Sequence, residues 1–535
     1  MKTTGWFLFL ILSSFLAFPQ TAPLRLLVKP KGNFAVVGKS RKMTVRILEQ
    51  HQLPLPSSIT TLVQDSVWLF TFDRKMNGKK ILQTYKNSAL FAYVEQDLVG
   101  HAAGIQAQAP NDPGYVQQWY WHNDGSFTFG KALMGADVQA EKAWEITRGD
   151  STVVVAVMDS GIYQEHREFK NRIWINKNEI PGDQKDNDDN GYIDDYEGWD
   201  FVNGDAQPID DNGHGTAVAG VLGASGDNDF SYTGMNWKCK LMIVKVLDAK
   251  LSGRYSHWIE GIRYAVDNGA DIINFSIVGK MPSQAMEDAI AYAHSKGVLV
   301  VCSMGNTNSS EPYYPAAYHQ TLAVGATDPD DQRSIAFNGN PAFGSNTGKH
   351  IDVVAPGNYI YGLNASSAEM PGNLWGGTSM ATAIVSGVAS LLLGEDPSLS
   401  PAQLTQIISR SAQDNLGDLS EDRPGWDSFY GFGRVDAFRA LTLLEEREFE
   451  GEDTPFIYPN PAKDIVNIHL QTSFPETVQA TVLNMNGQVM QTVFLSEKET
   501  RRVEGALDTS TWIPGIYLII IKTERKQWVK KLLKI

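Results

Sequence analysis

Between residues 111 and 445, short runs of apolar and β-branched residues alternate with segments whose apolar positions recur every three or four residues. Thr152–Met158, Leu241–Leu247, Asp271–Phe275 and Gly297–Val301 read as buried strands, and His257–Asp267 and Ser283–His294 as helices. A strand apolar at nearly every position needs cover on both faces. The alternation therefore predicts an α/β domain, a mainly parallel sheet flanked by helices. Such sheets take their ligands beyond the carboxyl ends of the strands. Asp159 follows the first strand at that end, and Asn306 a later one.

The pattern changes on both sides of this stretch. Val67–Phe72 and Leu90–Val94 read as strands and Met76–Tyr85 as a helix, which predicts a small α+β unit over 23–110. Gly100–Pro113 has no periodicity and is rich in Gly, Ala, Gln and Pro, a linker composition open to proteolysis. After the central stretch, the charge run Glu445–Asp453 reads as a solvated helix end and linker. Residues 456–535 then carry strands punctuated at Pro459-Asn460-Pro461, Asn486-Gly487 and Pro514-Gly515, predicting an all-β sandwich with a hairpin at Asn486-Gly487. At the start, Lys2 precedes an apolar run from Trp6 to Phe18, with small residues near Ala17 and Ala22, which reads as a signal peptide over 1–22. The run is shorter than the ~20 residues of a membrane span, and no second spanning segment is expected, hence no transmembrane anchor.

Composition narrows the classes further. A hydrophobic content of 42% with 20% charged residues fits packed domains rather than disorder. A net charge of -15 argues against nucleic acid as a main partner, because phosphate binding needs clustered Lys and Arg. Cys239 and Cys302 each lie beside an apolar run and read as buried structural thiols, with pairing left open.

Three short motifs carry candidate chemistry. Asp159 closes a buried strand and precedes Ser160-Gly161; His214 sits between Gly213 and Gly215; Ser379 lies in Gly377-Thr378-Ser379-Met380-Ala381 ahead of an apolar helix. Alone, each has an ordinary structural reading: a turn, a surface imidazole, a helix cap. Together, the carboxylate, imidazole and hydroxyl could transfer a proton and attack a carbonyl. The order Asp-Ser-Gly, His-Gly-Thr, Gly-Thr-Ser-Met-Ala resembles the subtilisin-like serine proteases, over residues 111–445. The resemblance implies peptide hydrolysis through an acyl-enzyme on Ser379, with His214 as general base and acid and Asp159 as its orienter. It implies oxyanion donors from the Ser379 N–H and the Asn306 side chain. It also implies a specificity pocket formed by Ser276, Ile277 and Val278 with Ser303, Met304 and Gly305. Val278 stands where the family usually has glycine and Met304 where alanine is common, so a narrowed pocket for a medium-sized apolar side chain is expected. The competing reading from another class is a catalytically inactive, calcium-stabilised binding or adhesin protein of the same fold.

The loop Asp186–Glu197 fits the calcium pattern Asp-x-Asp-x-Asn-Gly-x₅-Glu at every defined position. Asp186, Asp188, Asn190, the Tyr192 carbonyl, Asp194 and Glu197 would be the ligands, with Gly191 at the sharp turn. Flanking helices are not evident, so the expectation is a structural Ca²⁺ on a surface insertion; a solvated acidic loop is the other reading.

The flanking units carry resemblances of their own. Residues 23–110 resemble the family's propeptide, a folding aid and inhibitor whose end, Phe91–Asp97, would lie in the cleft. Asn111-Asp112-Pro113 with Gln118-Trp119 resembles a mature start. The tail resembles a type IX secretion C-terminal sorting domain, in Tyr458-Pro459-Asn460-Pro461-Ala462, Asn486-Gly487, Pro514-Gly515-Ile516-Tyr517 and the basic end Lys530–Ile535. The implied partners are protein or peptide substrates, the chain's own propeptide and the secretion machinery. The implied location is the cell surface or medium, after export across the outer membrane.

Overall fold

The computed structural model describes residues 25–31, 41–63, 67–72, 78–96, 109–365, 372–446, 455–458, 462–471, 477–485, 487–495 and 502–535. The expected signal peptide, most of the 100–113 linker, the turn Pro459-Asn460-Pro461, Asn486 and most of the charge run lie outside the described residues. The chain forms two compact units, Met1–Gln106 and Ala107–Ile535.

In the first unit, Ser58–Val63, Val67–Thr71, Arg25–Pro30 and Phe91–Gln96 form, in that order, an antiparallel sheet. Leu26, Val28, Phe70, Ile81 and Tyr85 make its core, the last two from the helix Gly78–Lys86. Sequence reading missed two further elements, Arg25–Pro30, whose buried positions alternate, and the amphipathic helix Arg41–Gln50.

The second unit is organised by a seven-stranded parallel sheet: β1 Val154–Asp159, β2 Gly198–Asp200, β3 Lys240–Lys245, β4 Ile272–Phe275, β5 Leu299–Ser303, β6 Thr321–Thr327 and β7 Val353–Pro356. Their spatial order is β7-β6-β5-β4-β1-β3-β2. The chain leaves β1 toward one edge, returns on β3, then crosses to β4 on the other side. Asp159 therefore ends the strand at which the winding reverses, where open α/β sheets form their crevice.

Each strand feeds two cores. Val155 and Val157 of β1 join one face, Ala156 and Met158 the other. The first face is covered by α1 His214–Gly223 and α4 Thr378–Glu395, the second by α2 Tyr255–Asp267 and α3 Gln284–Ser295. Helix α4 bears on the expectation that no second segment could cross a bilayer. It is long and apolar enough, but it is enclosed by protein, with every residue from Thr378 to Leu393 buried. Cys239 and Cys302 are both buried and free, and they belong to the two different cores.

In the C-terminal region, Phe456–Tyr458, Ile465–Gln471 and Arg502–Asp508 form one antiparallel sheet. Val489–Phe494, Gln479–Asn484, Gly515–Lys522 and Gln527–Lys534 form another. Val466, Ile468 and Leu507 of the first share one core with Val482, Ile519 and Leu532 of the second, so the region is a β-sandwich.

Candidate active site

β1 is apolar up to Asp159, and Ser160-Gly161 then turns the chain off the sheet. Gly161 has φ +103°, and a Cβ there would meet the Pro208 carbonyl at 2.6 Å, so glycine alone lets the 208–210 segment pass so close. Asp159 is fully buried. Its Oδ1 accepts the Ser160 N–H at 2.7 Å and faces His214 Nδ1 at 2.7 Å. Since a carboxylate only accepts, the proton of neutral His214 sits on Nδ1 and Nε2 is left as the acceptor.

His214 is the first residue of α1. Burial alone would push its pKa down. The charge and hydrogen bond of Asp159, together with Asp210, outweigh that and hold it above the ordinary imidazole value. The ring meets Trp375 edge-on, with centroids 5.6 Å apart.

Ser379 is the second residue of α4. The helix N-cap, Gly377, has no side chain to cap with, so the Ser379 N–H stays available at the positive end of the helix. Thr378 is held instead by Asn306: its N–H donates to Asn306 Oδ1 at 2.9 Å and its hydroxyl at 2.8 Å. Two donors on Oδ1 fix the amide orientation and leave Nδ2 as a donor. The Asn306 loop is pinned by buried Asn346, whose Oδ1 accepts the N–H groups of Thr307 and Ser309 and whose Nδ2 donates to the Met304 carbonyl. The Ser379 hydroxyl donates to the Ser276 carbonyl at 3.3 Å, and the Ser276 hydroxyl donates back to the Ser379 carbonyl at 3.1 Å. Among the described residues the Ser379 hydroxyl makes no hydrogen bond to His214. Helices α1 and α4 pack on each other, and Trp375, shortly before the start of α4, lies beside the imidazole. Next to Asn306 is a cavity of ≈ 270 Å³, lined by Phe337, Asn338, Asn340, Phe343 and Gly376.

The expected specificity residues divide. Ser276 reaches the Ser379 main chain, and Val278 is half-buried, able to face a ligand. Ser303 and Gly305 are buried, while Ile277 and Met304 point into the core, Met304 with no exposed surface. Met304 therefore cannot narrow a pocket as expected: its side chain packs under the sheet rather than into the cleft. Sequence reading missed Asp210, Asn346 and Trp375. They act through hydrogen bonds and a ring contact to groups that no short motif marks.

Two groups of oxygens could hold a metal. In the acidic loop, carboxylate oxygens of Glu179, Asp188 and Asp195 lie within 4.8 Å of one another. Glu179 is 5% exposed, and its Oε2 has no hydrogen-bond partner. Of the expected ligands, only Asp188 belongs to this group. Asp186 accepts the N–H groups of Asn190 and Gly191, and Asn190 Oδ1 that of Tyr192. Asp194 accepts those of Gly182, Asp183 and Gln184, and Glu197 is outside the group, its carboxyl pushed up by burial. These oxygens of the loop therefore already accept N–H groups, of the loop itself and of residues 182–184. Asp195 instead accepts from Tyr264 of α2 at 2.7 Å, tying the insertion to the domain.

The second group went unseen in sequence because its members are far apart. Asp112 Oδ1, Glu168 Oε1 and Asn228 Oδ1 are all buried without hydrogen-bond partners. They are joined by Asn228 Nδ2 donating to Glu168 Oε2 at 2.7 Å and by the Asp227 N–H donating to Asp112 Oδ2 at 2.7 Å. Burial pushes the Glu168 carboxyl up to about 8. Orphaned oxygens of this kind suit a hard cation.

A model of the subtilase family matches residues 150–433, and a model of the secretion system C-terminal sorting domain matches residues 456–535. Thermitase of Thermoactinomyces vulgaris is 32% identical over 332 residues, which cover 62% of this chain and 99% of that protein. A thermophilic serine proteinase of Bacillus sp. strain AK1 is 30% identical over 369 residues, 68% of this chain and 76% of that protein. Subtilisin DY of Bacillus licheniformis is 34% identical over 285 residues, 52% of this chain and 90% of that protein.

Proposed function

The chain belongs to the subtilase family, a subtilisin-like serine peptidase bearing a type IX secretion sorting domain, and from that premise we propose the residues and steps by which it cuts peptide bonds. The observation that carries the reading is the 2.7 Å bond between buried Asp159 and His214 Nδ1 at the carboxyl end of β1.

The Ser379 hydroxyl turns from the Ser276 carbonyl to His214 Nε2. As its oxygen attacks the peptide carbonyl carbon, the proton passes to Nε2. Asp159 holds the imidazole and stabilises its cation. The oxyanion that develops is met by the Ser379 N–H and Asn306 Nδ2. His214 then gives the proton to the departing amine, and water, activated the same way, releases the acyl group from Ser379. Val278 and the Ser276 segment bound the side chain before the cut, which favours a medium-sized apolar residue. The cavity beside Asn306, lined by Phe337 and Phe343 and by the amides of Asn338 and Asn340, receives side chains next to it.

Calcium supports the fold rather than the chemistry. Asp112, Glu168 and Asn228 would hold one ion, and Glu179, Asp188 and Asp195 another, each neutralising buried carboxylates. Residues 23–110 act as an inhibitory propeptide removed before activity, and the tail engages the secretion machinery for passage out of the cell.

The test is a casein assay with a serine-directed phosphonate label on wild type and Ser379→Ala after propeptide removal. Wild type should hydrolyse casein and take the label on Ser379, and the variant should do neither. Equal activity in the two proteins overturns the reading.

A further inference from the structure

Helix α1 begins with the imidazole, and none of its first N–H groups is capped in the usual way. The N-cap is Gly213, at φ +103° with no side chain. Uncapped donors at a buried helix start are costly, so their partners are informative. The His214 N–H goes to Asn212 Oδ1 at 3.3 Å, Gly215 N–H to Ser160 Oγ at 3.0 Å, and Thr216 N–H to Asp210 Oδ2 at 2.9 Å. The carboxylate of Asp210 collects the rest: Oδ2 also takes the Thr216 hydroxyl at 2.5 Å, and Oδ1 takes the Ser160 hydroxyl at 2.9 Å and the N–H groups of Asn212 and Gly213.

Ser160 is the hinge of this arrangement. Its N–H donates to Asp159 Oδ1, its hydroxyl to Asp210, and its carbonyl accepts from Lys245 Nζ at 2.6 Å. Lys245 is buried at the end of β3, in register with Asp159, and its ammonium also reaches Asp211 Oδ1 at 2.8 Å. The loop before the imidazole is thus tied at Asp210 and Asp211 to the strand that carries the orienting carboxylate. The backbones meet closely enough that a Cβ on Gly215 would lie 2.1 Å from the Gly161 carbonyl.

We infer that Asp210 is a positioning residue for the hydrolysis, clamping the start of α1 so that His214 is held against Asp159. The inference rests on the proposed role of His214 as general base. Asp210 touches neither the substrate nor the reacting atoms. Its second effect is electrostatic: burial opposes the imidazolium, while Asp159 and Asp210 favour it; Trp375, which meets the ring edge-on, is uncharged.

The test compares Asp210→Asn and Ser160→Ala with wild type, each normalised to active sites titrated by the phosphonate. For Asp210→Asn, kcat should fall by about 10-fold or more with KM little changed, since small misplacements of a reacting group are costly. Its acid limb in kcat/KM should also move down as a negative charge is lost. Ser160→Ala keeps that charge, so its kcat should fall while its limb stays in place. A purely structural role would lower the yield of titratable sites and leave the limb and the per-site kcat of both variants unchanged, and that result overturns the inference. If Asp210→Asn does not fold, Ser160→Ala with wild-type per-site kcat overturns it equally. Loss of all labelling in Ser379→Ala depends on neither variant, so the two readings fail separately.

Discussion

The side-chain oxygen of Asn306 accepts both the N–H and the hydroxyl of Thr378, the residue before the nucleophile. One amide thus does two things: its oxygen caps helix α4, and its nitrogen is left to donate into the cleft. Asn306→Ala should lower kcat by about 10²–10³-fold and stability by ~1 kcal/mol. Asn306→Asp keeps the cap acceptor and removes the donor, so kcat should fall with little change in melting temperature. Unaltered kcat per titrated site in both variants would remove Asn306 from the chemistry.

Asp159→Asn keeps the shape of the strand end but presents an amide to His214 Nδ1. The imidazole then favours the wrong tautomer, and kcat should fall by roughly 10⁴-fold with KM near wild type. A loss confined to KM would contradict the orienting role.

The pH dependence follows from the raised pKa of His214. The base must be neutral, so kcat/KM should decline on the acid side with a midpoint above the ordinary imidazole value of ~6.5. For stability the sign reverses. The fold favours the protonated ring, so this contribution is complete below ~6.5 and is lost as pH rises through the folded value. Rate profiles with a small ester, and melting curves of Ser379→Ala across the same range, check both. An acid limb at or below the ordinary value would contradict the geometry.

Removing calcium should lower the melting temperature of the mature protein by roughly 5 °C or more and hasten self-digestion. Glu168→Gln and Glu179→Gln should each remove part of the calcium-dependent rise, because each deletes charge from one of two separate oxygen groups. Asp194→Asn, which touches neither group, should keep the full rise. A melting curve indifferent to chelator would dismiss both sites.

Val278→Gly should widen the cleft beside Ser276. Peptide-library cleavage should then shift from medium apolar residues toward larger aromatic ones before the cut, with kcat/KM for the smaller ones reduced. An unchanged profile would place the specificity boundary elsewhere.

The chain alone was enough to announce the parallel sheet, because Val154–Met158 and Leu241–Val244 are apolar at positions that a one-sided strand would leave polar. It also offered Asp159, His214 and Ser379 as candidates, through three motifs whose order resembles the subtilisin-like proteases, and Asn306 through that resemblance alone. Only the tertiary structure decided what depends on groups distant in sequence or on the direction of a side chain. Asp112, Glu168 and Asn228 are linked by hydrogen bonds with one buried oxygen of each left unpaired, Met304 turns into the core, and Asp210 grips a helix it does not belong to. In the acidic loop the spacing of the oxygens was legible but their aim was not. Main-chain N–H groups compete for the same carboxylates, and where they prevail, as at Asp194, a ligand pattern becomes a set of turns.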